Sequence, residues 1–218
     1  GLRLVNATGE RLARIEIVCR AGGHEGRAGV DVTVAPLMTQ KLAVPLSIDP
    51  PAAEGTVPVE LRARVRAGGR TIETPPFKIE LKAVPPSAYY MRTFVSEIDR
   101  SVQYFAVAPK TVGGDSSRDP AGKPALVLTL HGAGVEAIGQ ARAYKPKDWA
   151  YIVAATNRRP YGFDWEDWGR LDALEVLAEA SRIFGTDPDR TYLTGHSMGG
   201  HGTWQVGATA PGPWAAIA

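Results

Sequence analysis

The sequence predicts a chain in two parts. A small all-β unit covers residues 1–84, and an α/β unit with a parallel sheet covers residues 89–218. Three observations carry this. Apolar and polar residues alternate with period two up to about residue 84. Beyond it, continuous apolar runs alternate with helix-spaced segments, the order that gives a parallel sheet flanked by helices. A G-x-S-x-G motif stands between a predicted strand and a predicted helix.

In the first part, Val57, Val59, Leu61, Ala63 and Val65 interleave with Pro58, Glu60, Arg62, Arg64 and Arg66. Phe77, Ile79 and Leu81 alternate with Lys78, Glu80 and Lys82. Val30, Val32 and Val34 do the same, as do Leu42, Val44, Leu46 and Ile48. Each run reads as a strand with one buried face. Ala21-Gly22-Gly23, Asp49-Pro50-Pro51 and Gly68-Gly69 supply the turns. The spacing predicts an antiparallel β-sandwich of immunoglobulin-like size. Arg62, Arg64, Arg66 and Arg70 need no ligand, because alternation by itself requires a polar outer face.

Val84-Pro85-Pro86-Ser87 marks the junction, so residues 85–88 are assigned as the linker. Strands are expected at 92–97 and 102–108, followed by a polar loop over 111–123. Residues 125–130 form a continuous apolar run, as a strand covered on both faces should. Residues 151–155 form another. Leu171, Leu174, Leu177 and Ala178 recur at helical spacing, and the pattern stops at Phe184-Gly185. A short strand at 190–194, a helix from 198 to about 208 and a strand start at 214–218 complete the order.

Composition narrows the setting. The chain of 218 residues is 44% hydrophobic and 22% charged, which excludes disorder as its main state. A net charge of +2 gives no reason to expect nucleic acid or an acidic lipid surface. No apolar run approaches the roughly 20 residues that span a bilayer, so no membrane partner is expected. Cys19 is the single cysteine. It fits a cytosolic protein, or a bacterial exported one that does without disulfides, and a secreted or periplasmic setting is the expectation.

The chemistry sits in two motifs. Gly195-His196-Ser197-Met198-Gly199 follows a strand and opens a helix, the context of a nucleophile elbow. So tight a turn strains the nucleophile's backbone and needs small residues two places either side. Ser197 would stand at the top of the sheet, with the helix N-terminus favouring an oxyanion. His131-Gly132-Ala133-Gly134 directly follows the strand at 125–130 and can aim N–H groups at a carbonyl oxygen. The expected oxyanion hole is the N–H of Met198 with that of Ala133.

On these residues, and on Asp187-Pro188-Asp189-Arg190 ahead of the nucleophile strand, residues 89–218 resemble the first part of an α/β-hydrolase of the esterase and prolyl-oligopeptidase-like kind. The resemblance implies acyl transfer to Ser197 from a small-molecule or polymer-linked ester, then hydrolysis of the acyl-enzyme, with no cofactor. It does not reach residues 1–84. In this family the acid and then the base follow the nucleophile. Here no Asp or Glu follows Ser197, and the only later histidine is His201, on the nucleophile's own helix. The acid, base and last strands are therefore expected on a second polypeptide, or in a longer protein from which this chain is a piece.

Weaker signals surround the motifs. Tyr161-Gly162-Phe163-Asp164-Trp165 lies in a loop on the Ser197 rim, where Trp165 or Phe163 either lines a substrate pocket or packs the loop onto the body. His196 is expected at the pocket wall, and His131 as the holder of its loop. Glu166 and Asp167 read as solvated charges, and Asp172 and Glu175 as acids serving the helix dipole. No histidine or cysteine spacing suits a metal. Two other readings stay open: a prolyl-oligopeptidase-like serine peptidase, which the short first part disfavours, and a non-catalytic hydrolase-like binding protein.

Overall fold

Period-two alternation builds the first of two units into which the computed structural model divides. This unit holds Gly1–Pro85 with Glu97–Val102, and the second holds Pro86–Ser96 with Gln103–Ala218. The structure describes residues 1–21, 24–45, 54–113, 122–159, 161–162 and 164–218. Leu46, Ile48, Gly22-Gly23, Asp49-Pro50-Pro51, most of the 111–123 loop and Phe163, all named above, lie outside the described residues.

The strands of the first unit are β1 (Leu2–Val5), β2 (Ala13–Ala21), β3 (His24–Val30), β4 (Thr39–Leu42), β5 (Gly55–Ala67), β6 (Arg70–Glu73) and β7 (Phe77–Ala83). The long β5 pairs antiparallel with β2 along one edge. Its other edge is shared by β7, opposite residues 55–61, and β6, opposite residues 64–67. β3 pairs with β2, and β1 with β4 in a separate two-stranded sheet. Ile15, Ile17, Cys19, Val59, Leu61 and Val65 form the core, and Leu42 joins it from the small sheet. The strand expected over Val30, Val32 and Val34 does not form. Val32 donates its N–H back to Val30 across a tight turn, and Val34 keeps only an isolated bridge to Leu12. Two arginines of β5 are paired with acids: Arg62 with Glu60 at 3.0 Å, and Arg64 with Glu73 at 3.7 Å and with Glu16 at 3.8 Å.

The second unit contains β8 (Tyr90–Val95), β9 (Val102–Ala108), β10 (Ala125–Leu130), α1 (Ala137–Arg142), β11 (Ala150–Ala154), α2 (Asp167–Phe184), β12 (Thr191–Gly195), α3 (Met198–Thr209) and β13 (Ala216–Ile217). They form one sheet in the order β13-β12-β10-β11-β9-β8. The β11, β10, β12 and β13 ladders are parallel, and β9 joins β11 antiparallel. A sheet of this kind fits the α/β-hydrolase fold that the motifs resemble. Leu126, Leu128 and Leu130 share a core with Val176, Ala180 and Val206 of α2 and α3. Ala106 and Ala154, on the alternate face, pack with Ala137 and Ala141 of α1. Both faces of the sheet are thus covered, as the apolar runs require.

The buried stripe of α2 differs from the expected one. Gly169, Asp172, Ala173, Val176, Leu177 and Ala180 face inward, while Leu171 and Ala178 are exposed. Small side chains at 169, 173 and 180 make the stripe, so a leucine count misplaces it.

Candidate active site

Two strand ends meet at the site. β10 runs into residues 131–134, and β12 runs into the turn that starts α3. The neighbouring strands are in parallel register, with Leu130 opposite Gly195, so both loops leave at the same edge. The Asp187-Pro188-Asp189-Arg190 segment fixes the far end of this pair. Asp187 donates its N–H to Pro124 O at 2.9 Å, and its carboxylate accepts from Arg190 Nε at 3.1 Å.

Ser197 has φ 56° and ψ −120°, a strained conformation for a residue with a side chain. The close packing behind it explains the flanking glycines. A Cβ on Gly195 would fall on the carbonyl of Gly199, and one on Gly199 would fall on the carbonyl of Leu130. The chain therefore has room for the turn only with hydrogens at these two places. His196 donates its N–H to Leu130 O at 3.3 Å, which ties the elbow to the end of β10. The turn closes with Gly199 N–H to His196 O and Gly200 N–H to Ser197 O, both 2.8 Å. The side chains of Ser197 and His196 are exposed.

The facing loop is a turn from Gly132 to Val135, closed by Val135 N–H to Gly132 O at 3.2 Å. Gly134 takes φ +74° at its third position, where a side chain would be strained. Gly132 lies against the elbow: a Cβ there would stand 3.2 Å from His196 O and 3.3 Å from Ser197 Cβ. Among the described residues, no group accepts a hydrogen bond from the N–H of Ala133 or from that of Met198 at the helix start. These two free donors lie on the two loops that Gly132 brings together. Such an arrangement can place a carbonyl carbon at Ser197 Oγ while backbone N–H groups take up charge on its oxygen.

Behind the loop the polar groups are buried and connected. His131 is fully buried, with Nε2 3.0 Å from Thr156 O and Nδ1 2.9 Å from Gly132 O. Trp165 is also fully buried. Its Nε1 donates to His131 O at 3.1 Å, and its ring meets the His131 ring edge-on at 4.9 Å. As placed, Trp165 is not a wall of an open pocket but packs its loop onto the body. Gly202 of α3 makes room for the indole, since a Cβ there would fall on the Trp165 ring. Gln140 of α1 donates to Thr129 Oγ1 at 2.7 Å, anchoring the chain that leaves the loop.

Asp172 lies past the first turn of α2, away from the position the sequence predicts for it. It serves no helix dipole. It is fully buried, accepts from Thr156 N–H and Thr156 Oγ1 at 3.1 Å each, and faces Arg158 Nε at 3.2 Å. Burial pushes its carboxyl above the ordinary carboxylate range, against the pull of Arg158 and the Thr156 hydrogen bonds. Glu175, which shares that assignment, accepts from Ser96 Oγ at 2.8 Å and pairs with Arg158 Nη2 at 3.3 Å. The clue was available: Asp172 occupies a core position of the helix stripe, where an acid needs buried partners. Glu166, read as a solvated charge, is exposed and stands 3.2 Å from His201 Nε2.

Among the described residues no three His, Cys, Asp or Glu side chains gather as a metal-ligand set, and no helix is long and apolar enough to cross a membrane. A groove of about 620 Å³ lies on the first unit, where Arg14, Arg64 and Arg66 are interleaved with Glu16 and Asp31.

No family model and no curated protein matches the sequence. Solved structures that the chain is similar to include a thermostable esterase, 14% identical with a TM-score of 0.42, over 99% of this chain and 72% of that one. The serine hydrolase FphF of Staphylococcus aureus, described as fluorophosphonate-binding, is 21% identical with a TM-score of 0.46, over 61% of this chain and 56% of its own. A ferulic acid esterase of Anaeromyces mucronatus is 16% identical with a TM-score of 0.42, over 62% of this chain and 58% of its own. The chain thus spans less than two thirds of the last two.

Proposed function

We propose that this chain is the nucleophile-bearing part of a serine carboxylic ester hydrolase, preceded by an accessory β-sandwich. The carrying observation is Ser197, held at φ 56° between β12 and α3 beside the free N–H groups of Met198 and Ala133. Ser197 Oγ attacks the ester carbonyl carbon and loses its proton to a base. The carbonyl oxygen takes the negative charge and is stabilised by the two N–H groups. Collapse expels the protonated alcohol and leaves an acyl-enzyme, which water opens to the acid and free Ser197. His196 borders the acyl group. The acid and base come from outside these 218 residues, on a second polypeptide or a further segment of the same protein. Open exposure of Ser197, His196 and Ala133 supports this, since it leaves room for such a covering wall.

The test is phosphonylation by an alkyl fluorophosphonate, followed by intact and peptide mass. A nucleophile and oxyanion hole without their base retain residual catalysis, about 10³-fold over water. The chain by itself should therefore give a slow adduct on Ser197 that Ser197→Ala removes. An adduct spread over other residues at the same rate in Ser197→Ala, or none after prolonged exposure, refutes the nucleophile and leaves the hydrolase-like binding protein.

A further inference from the structure

The geometry points to Thr156 as a positioning residue for the oxyanion loop, acting through His131 and held in place by the buried carboxylate of Asp172. The inference rests on the oxyanion-hole reading of residues 131–134. Thr156 is the second residue after β11, and the chain beyond it turns through two consecutive left-handed residues, Asn157 at φ 55° and Arg158 at φ 61°. Such a pair is unfavourable for residues with side chains and persists only where the surroundings over-determine it. Here they do. Asp172 Oδ2 accepts both the N–H and the hydroxyl of Thr156, each at 3.1 Å. Thr156 Oγ1 in turn accepts the N–H of Arg158 at 3.2 Å, and Arg158 Nε returns to Asp172 Oδ1 at 3.2 Å. The Asn157 side chain packs where Gly162 and Gly169 lack a Cβ.

The result of this turn is the direction of one carbonyl. Thr156 O points at His131 Nε2, 3.0 Å away, while the other ring nitrogen stands 2.9 Å from Gly132 O. With Nε2 donating to Thr156 O, the imidazole ties His131, the first residue of the loop, to that carbonyl. Trp165 closes the other side by donating to His131 O. Asp172 touches neither a substrate position nor the loop. Its effect reaches Ala133 through Thr156 and His131, and the buried contacts of Thr156 with Asp172 on one side and His131 on the other transmit it.

The experiment compares wild type, Thr156→Val and Thr156→Ser. Thr156→Val keeps shape and removes the hydroxyl, and Thr156→Ser restores it. Two readouts are taken. The first is the limiting rate of Ser197 phosphonylation and the reagent concentration that gives half of it. Thr156→Val should lower the limiting rate about tenfold, part of the loss expected for removing an oxyanion donor outright, with the half-saturating concentration unchanged. Thr156→Ser should restore it. The second is backbone amide exchange, which needs no reactivity. Exchange at residues 132–134 should rise in Thr156→Val while β10 and β12 stay protected. If wild type gives no Ser197 adduct, the hydrolase reading fails, and the exchange result alone decides the role of Thr156. Unchanged exchange at 132–134, or a Thr156→Ser protein as impaired as Thr156→Val, overturns the inference. Should Thr156→Val not fold, Asp172→Asn weakens the same acceptor without touching Thr156, and the same exchange pattern is required of it.

Discussion

Adjacent glycines at the start of α3 should respond to alanine with opposite signs. A Cβ on Gly199 would fall on the Leu130 carbonyl and lie 3.0 Å from His131 O. That carbonyl cannot swing aside freely, because Leu130 O accepts the N–H of His196. Forcing one carbon into such a site costs about 3 kcal/mol, and better helix propensity returns about 1 kcal/mol, a net loss of about 2 kcal/mol. A Cβ on Gly200 meets nothing nearer than Gly195 O at 3.8 Å. Gly200→Ala should therefore gain about 0.5–1 kcal/mol. The assay isolates the right unit by itself. Trp149, Trp165, Trp168, Trp204 and Trp214 are all five tryptophans of the chain, and all fall within the second unit. Thermal unfolding followed by tryptophan fluorescence should show Gly199→Ala melting about 4–10 °C below wild type and Gly200→Ala a few degrees above it. Equal midpoints, or a stabilised Gly199→Ala, would refute the packing that makes the elbow.

Two further outcomes are expected. His201 and Glu166 form an exposed pair, with side chains 54% and 52% accessible, so His201→Ala should cost under about 1 kcal/mol and leave the rate of Ser197 phosphonylation unchanged. If that substitution abolished the adduct, the base would lie on this chain, contrary to the proposal. The Asp172 carboxyl, raised mainly by burial, keeps its proton to a higher pH in the folded state than in the unfolded chain. Its contribution is complete below the ordinary carboxylate value and is lost as pH rises through the raised one. Asp172→Asn has no such loss, so its melting midpoint relative to wild type should improve from acid toward neutral pH. A gap that stays constant, or widens against the variant, would contradict the direction of the shift.

What was legible in the sequence follows from how local each constraint is. The strand at 125–130 stands out because both faces are covered, and the elbow because its glycines answer steric demands within a few residues of Ser197. The long β5 was legible because one face is buried along most of its length. The failures arise where a local pattern is overruled by packing it does not report. Val30, Val32 and Val34 alternate correctly, yet the strand ends at Val30, and Val34 keeps a single bridge to Leu12. Leu171 looks like a core residue until Gly169 and Ala173 are seen to make the contact. Trp165 sits in a rim loop by sequence, yet its indole is fully buried because Gly202, on another element, leaves space for it.

Asp172 shows most plainly why the rest was not legible. By composition it is one more acid near a helix start. By position it lies between Gly169 and Ala173 and Val176 on the inward stripe, where an ionisable group is tolerated only with partners. Those partners, Thr156 and Arg158, sit on the loop after β11, in a left-handed turn that no periodicity announces. A polar residue on an apolar stripe was thus the readable half of the network, and the unreadable half was the backbone direction that answers it. The G-x-S-x-G motif advertises itself because a turn of this geometry needs particular residues at fixed spacing. The scaffold that aims it is built from any side chains whose donors and acceptors meet, and only the folded chain says which ones do.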